Sequence, residues 1–208
     1  MESILNKKKE IARVFTIAPW KKLTFKQVKT LSKNKSDHYV HGALKSLAHE
    51  RVLTEEKIGN AIIYSINDET AALNTIGHIS EDHASSAKQI PFHNLAKIIK
   101  KIKTAYYTLL ITGSYARNKQ KPESDLDIVI ICDNSCDPSA ILAEIRFESE
   151  MMIPEIHPYI FKESEFYEML TNDKANYGKE IARNNLIITG GKQYYSILLR
   201  AITHGFKG

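Results

Sequence analysis

The chain has 208 residues, with 29 Lys and Arg against 24 Asp and Glu and a net charge of +5. Hydrophobic residues make up 43% and charged residues 25%, ordinary globular proportions that exclude disordered, collagenous and coiled-coil chains. The longest apolar runs, such as Leu109–Ile111 and Ile128–Cys132, are too short to span a bilayer, and Met1-Glu2-Ser3 leads into lysines rather than an apolar signal core. The expectation is a soluble cytoplasmic protein with no membrane partner.

The charge is unevenly split. Residues 1–66 carry 13 basic and 6 acidic residues, a balance of +7, whereas the other 142 carry 16 and 18, a balance of −2. A basic third of this kind is the footprint of a nucleic-acid-binding segment, although a lysine-coated solvated face has the same composition.

In chain order, Ile4, Leu5, Ile11, Ala12, Val14 and Phe15 fall on one face of a first helix from Ser3 to Phe15, with Lys7, Lys8 and Lys9 opposite, and Pro19 ends it. Thr24 caps a second helix carrying Phe25, Val28 and Leu31. Ser36-Asp37 caps a third, with Val40, Leu44, Leu47 and Ala48 as its apolar stripe. Two strand-like runs follow, Val52–Lys57 and Ala61–Ile66, joined at Ile58-Gly59-Asn60 by a tight hairpin turn. Residues 67–90 read as a linker: a short helix from Glu69 to Ile76, then polar chain in which His78 and His83 are solvated.

Residues 91–208 read as a second domain. Pro91 starts a helix over Phe92–Lys103. Then come a strand (Tyr107–Thr112), a loop (Gly113–Ser124), a strand (Leu126–Cys132), a helix (Pro138–Glu148) and a strand (Glu155–Phe161). Helical segments Ser164–Leu170 and Ala175–Arg183, a short apolar piece Leu186–Thr189 and a last helix Gln193–His204 complete it. Interleaved strands and helices predict a mixed α/β or α+β sheet with flanking helices. Cys132 and Cys136 lack neighbouring metal ligands and read as reduced structural thiols.

Three helices and a hairpin under a basic excess resemble the winged helix-turn-helix domains of prokaryotic regulators, matched at Leu23-Thr24, Leu44 and Leu47, Val52-Leu53 and Tyr64-Ser65-Ile66. The resemblance implies that the third helix enters the major groove of double-stranded DNA. It offers Asp37, His38, Tyr39, His41 and Lys45, with Lys57 and Asn60 of the wing reaching phosphate or minor groove. A winged helix used for protein contacts or dimerisation is the alternative, and dimeric regulators of this type imply a homodimer.

The chemistry concentrates in Gly113-Ser114-Tyr115-Ala116-Arg117, a spacer, then Ser124-Asp125-Leu126-Asp127-Ile128-Val129-Ile130. Asp125 and Asp127 stand i and i+2 at the start of an apolar strand, so both carboxylates point to one face. Two such charges side by side call for a cation, and Mg²⁺ (or Mn²⁺) with a phosphate completing its shell fits. Gly113 at a strand end admits close approach of a bound group, Ser114 can bond a phosphate oxygen, and Arg117 adds charge. Metal and donors aimed at phosphates are the layout of nucleotidyl transfer.

This string, with its 12-residue offset from Gly113 to Asp125, resembles the signature of the nucleotidyltransferase superfamily that includes DNA polymerase beta, and its minimal stand-alone members in particular. Glu165-Phe166 and Gly190-Gly191 are similar to that group downstream, so the resemblance covers about Phe92 to the C terminus. It implies nucleotide binding by Gly113, Ser114, Arg117 and Ser124, and catalytic metal ligation by Asp125 and Asp127. Asn118 replaces a usual second glycine, a mild change because Asn tolerates left-handed backbone. The third carboxylate of active members falls at His157, with Glu155 two residues earlier. Either Glu155 substitutes, or His157 acts as base, or the carboxylate is lost. The implied function is Mg²⁺-dependent transfer of a nucleoside monophosphate from an NTP to a hydroxyl, on a protein by analogy with minimal members. The alternative is a non-catalytic DNA-binding regulator whose degenerate domain senses a nucleotide.

Overall fold

The computed structural model describes residues 4–208, with side chains from Lys8 onward. Residues 1–3 and the side chains of Ile4, Leu5 and Lys7, used above to place the first helix face, lie outside the described residues. The first helix, α1 (Ile4–Ile17), runs two residues further than the periodicity implies. A two-residue strand β1 (Leu23–Thr24) precedes α2 (Phe25–Ser32). Thr24 caps α2 reciprocally: its Oγ1 accepts from Gln27 N–H, and its own N–H donates to Gln27 Oε1 at 2.8 Å. Ser36 Oγ accepts from Tyr39 N–H to start α3 (Asp37–His49). Strands β2 (Leu53–Ile58) and β3 (Ala61–Ile66) pair antiparallel in register Ile58↔Ala61, with Gly59 at φ +60° in the two-residue turn. β1 joins the other edge of β3, giving the order β1-β3-β2.

The segment after the hairpin differs from expectation. One 16-residue helix, α4 (Thr70–Ser85), replaces the short helix and linker. Its composition is polar, but Leu73, Ile76, Gly77, Ser80 and Ala84 are buried at helical spacing, and that period outweighs the turn-like residues on the outer face. Gly77 lies against Gly191, where a Cβ on Gly77 would stand 2.6 Å from the backbone nitrogen of Lys192. Ser80 and Tyr195 exchange a buried hydroxyl hydrogen bond at 2.8 Å. His83 is half-buried rather than solvated: its Nε2 lies 3.0 Å from Arg13 of α1, and burial first, then Arg13, holds its pKa below the ordinary value.

The remaining elements are α5 (Phe92–Ile99), β4 (Tyr107–Ile111), α6 (Gly113–Ala116), β5 (Leu126–Cys132), α7 (Pro138–Ser149), β6 (Ile156–Lys162), α8 (Glu163–Thr171), α9 (Tyr177–Arg183), β7 (Leu186–Thr189) and α10 (Gly191–Thr203). They build a four-stranded mixed sheet, β6-β5-β4-β7, in which β4 runs antiparallel to β5 and β7, while β5 and β6 are parallel across the α7 crossover. Alternation assigns the two faces. Leu126, Ile128, Ile130 and Cys132 of β5 pack with Leu95, Ile98, Ile141 and Ile145 of α5 and α7. Val129 and Ile131 pack with Phe166, Leu170, Tyr194 and Leu198 of α8 and α10. This second core continues without a break through Leu73, Ile76 and Ile79 of α4 to Ile11, Phe15, Val40 and Leu44 of the N-terminal helices. Among the described residues, no helix is long and apolar enough to cross a membrane.

Cys132 and Cys136 are joined by a disulfide, correcting the expectation of free thiols. The chain turns back directly after β5, with Cys136 N–H donating to Asp133 O at 3.2 Å, and this brings the two Cα atoms to 6.4 Å.

Candidate active site

The sheet gathers the distant parts of the sequence motif at one end. Antiparallel pairing places the C-terminal end of β4 beside the start of β5, and parallel pairing places the start of β6 on the other side. Asp127 and His157 are direct partners in the β5–β6 register, so their side chains share a face. Leu126 N–H donates to Glu155 O at 2.8 Å, fixing the two strand entries against each other.

Gly113 begins α6 at φ +67°. A Cβ at this position would fall 2.2 Å from Asp127 Oδ2, so only glycine lets the carboxylate lie against the backbone where β4 ends. Ser114 follows as the second residue of α6, and Arg117 caps its C-terminal end. Thr112 N–H donates to Asp127 O at 3.1 Å. Burial raises the Asp127 carboxyl above its ordinary pKa; His157 and Arg117 act in the opposite direction and Asp125 reinforces the rise. Asn118 adopts φ +52°, the left-handed backbone for which its residue type is suited. Ser124 is engaged in the loop itself: its Oγ accepts from Lys121 N–H at 2.8 Å, and its N–H donates to Lys121 O. In the same loop Gln120 Oε1 is buried without a hydrogen-bond partner.

On the neighbouring strand entry, His157 Nε2 lies 3.3 Å from Glu155 Oε1, and His157 Nδ1 lies 3.7 Å from Asp125 Oδ2. Asp125, Glu155 and His157 offer donor atoms that all fall within 4.8 Å of one another. Among the described residues no Lys or Arg lies within 4 Å of the Asp125, Asp127 or Glu155 carboxylates. Two carboxylates that converge on one imidazole suit a divalent cation. Thus Gly113, Ser114, Asp125, Asp127, Glu155 and His157 come to one end of the sheet, with Arg117 at its margin.

Three residues that the sequence reading passed over also belong here. Asn184, between α9 and β7, accepts from Thr112 Oγ1 through its carbonyl at 2.9 Å and donates from Nδ2 to Gly113 O at 3.2 Å. Its signal was a polar pair, Asn184-Asn185, immediately before an apolar strand that must return to the same sheet end. Tyr159, on the same face of β6 as His157, packs its ring 4.8 Å from that of Tyr177. Burial raises the Tyr177 phenol strongly, with Tyr159, Asp127 and Glu180 adding to the rise.

The N-terminal candidates are placed less uniformly. His38, Lys45, Lys57 and Asn60 are exposed. Tyr39 is half-buried against the core rather than outward, and burial followed by Glu10 raises its phenol. His41 stacks on Phe25, ring centroids 4.3 Å apart, so one face of its imidazole is occupied. Asp37 pairs with Lys29 at 2.5 Å and is committed to the α2–α3 junction.

Residues 94–182 match the family model of the nucleotidyltransferase domain, a span that runs from α5 to α9 and contains the whole Gly113–His157 constellation. Searches of curated proteins and of solved structures return no significant match.

Proposed function

We propose that the C-terminal half transfers a nucleoside monophosphate from an NTP to a hydroxyl acceptor on a protein, and that residues 1–66 form a winged helix-turn-helix that binds double-stranded DNA. An intracellular setting supplies both NTP and DNA. The observation that carries the transferase reading is the Asp127 carboxylate packed against the backbone of Gly113, which unites the two halves of the matched domain's motif.

Asp125 and Asp127 would hold Mg²⁺ or Mn²⁺, which would supply positive charge to offset that of the triphosphate and the leaving group. Gly113, Ser114 and Arg117 face the phosphates. The acceptor oxygen attacks the α-phosphorus in line, the bond from that phosphorus to the bridging oxygen breaks, and pyrophosphate leaves. The acceptor proton passes to Glu155 or His157 at the third strand entry. Asn184 and Thr112 hold the β4–α6 turn in place throughout.

A second reading is favoured by one observation: the residue opposite Asp127 on β6 is His157, not a carboxylate. In that reading the domain binds nucleotide without turnover and biases DNA binding by a homodimer. Incubation with Mg²⁺ or Mn²⁺, each α-labelled NTP and cell extract separates them. Label transfer lost in Asp125→Asn and Asp127→Asn supports the transferase. NTP binding without transfer supports the sensor, and loss of both readouts in the wild type overturns both. DNA binding should weaken steeply with salt, and binding indifferent to salt removes the DNA reading.

A further inference from the structure

We propose that His157 is itself a metal ligand, binding through Nδ1 beside Asp125 while Glu155 fixes its ring through Nε2–H, and that the site therefore prefers Mn²⁺ to Mg²⁺. The proposal rests on the nucleotidyl-transfer reading above and specifies its metal.

Each ring nitrogen of His157 faces a different carboxylate, at distances suited to different tasks. Nε2 is 3.3 Å from Glu155 Oε1, within reach of a hydrogen bond. Nδ1 is 3.7 Å from Asp125 Oδ2, too long for a good hydrogen bond but short enough for both atoms to reach one ion at about 2.0–2.2 Å each. A metal-bound imidazole commonly donates its other N–H to a carboxylate, which fixes the tautomer and raises the basicity of the ligating nitrogen. Glu155 supplies that carboxylate from two residues away, on the same side of the strand. The β5–β6 register makes Asp127 the backbone partner of His157, on the same face of the sheet.

The resulting donor set mixes an imidazole nitrogen with the Asp125 carboxylate oxygen. Mg²⁺ binds oxygen almost exclusively and retains its waters, whereas first-row transition dications accept imidazole and exceed Mg²⁺ in affinity for mixed nitrogen and oxygen sites. The His157 and Asp125 side chains are 45% and 43% exposed, so solvent completes the coordination shell and the ion can enter from it. Glu155 acts here as a positioning residue, and His157 is not available as a base when it holds the ion.

The test is Mn²⁺ binding to the full-length protein with ATP, read by electron paramagnetic resonance for affinity and by electron spin-echo modulation for nitrogen coordination. The wild type should show a directly coupled imidazole ¹⁴N, and His157→Gln should lose it with at least a tenfold weaker Mn²⁺ affinity. Glu155→Gln should keep the coupling and weaken binding about 10–100-fold. His157→Asp restores an all-oxygen set, so Mg²⁺ should displace Mn²⁺ at lower concentration than in the wild type. A wild type that binds Mn²⁺ with ATP but shows no ¹⁴N coupling overturns the proposal, as does unchanged affinity in His157→Gln. In either case loss of binding in Asp125→Asn leaves the transferase reading standing; absence of Mn²⁺–ATP binding in the wild type overturns both.

Discussion

Replacing Gly113 by alanine separates two costs that the structure keeps distinct. The residue sits at φ +67°, where an L side chain costs roughly 1–2 kcal/mol. For a chain of this size, about 2–4 °C in melting temperature accompanies each kcal/mol, so backbone strain alone predicts a drop of about 2–8 °C. Gly59 provides the control, because it has φ +60° and nothing within 4 Å of an added Cβ. Gly59→Ala and Gly113→Ala should therefore lose similar stability in a thermal melt. Gly113→Ala carries a second burden, since its Cβ would stand 2.2 Å from Asp127 Oδ2. Relieving that overlap moves the end of the Asp127 side chain by about 1 Å, which is inexpensive for folding but can cost on the order of 100-fold at a reacting centre. Nucleotidyl transfer, followed with α-labelled NTP, should fall about 100-fold in Gly113→Ala and stay at the wild-type rate in Gly59→Ala. Transfer by Gly113→Ala within threefold of wild type would refute the role given to the Gly113–Asp127 contact.

Gly77→Ala should destabilise by about 1–3 kcal/mol in urea unfolding, because the added methyl meets backbone atoms of Gly191 and Lys192 that cannot rotate away. Tyr195→Phe removes the buried bond to Ser80, whose hydroxyl retains Ile76 O as acceptor, and should cost about 1 kcal/mol by the same measurement. Asp133 is held down to about 2 by the Ser135 hydroxyl, then the Thr104 hydroxyl and the Ser135 N–H. Its folded-state pKa is depressed, so its contribution is present above about pH 4 and lost as the pH falls toward 2; melting temperature against pH should be flatter over that window in Asp133→Asn. Lys45→Ala on the exposed face of α3 should weaken DNA binding and reduce the slope of log affinity against log salt by about 1.

The sequence made the strand and helix order of the C-terminal half legible because its signals are local: apolar runs of strand length, Asp137-Pro138 opening α7, and the Asp-x-Asp alternation at the start of β5. The convergence of Gly113 on Asp127 was legible in part, as a glycine at a strand end, though its reason lies in a contact between two strands. α4 was misread because Ala, Ser, Asp and His on its outer face look like a linker, while a glycine facing another helix is invisible without that helix. Asn184 was missed for a related reason: its partners Thr112 and Gly113 are 72 and 71 residues away in the chain. Tyr39 and His41 fit an outward helix face by spacing, but Phe25 and the core claim parts of both rings.

The continuity of the α4 core has a practical consequence. A cut near residue 66 or residue 90 is the natural way to divide the proposed DNA reader from the proposed transferase, but either cut strands one apolar face of a helix packed against both. Leu73, Ile76 and Ile79 would be parted from the α1 side of their core, with Phe15, or from the α10 side, with Leu198. Fragments made at those points inherit open hydrophobic surface and a tendency to aggregate, so the two proposed activities are better dissected by point substitutions in the intact chain.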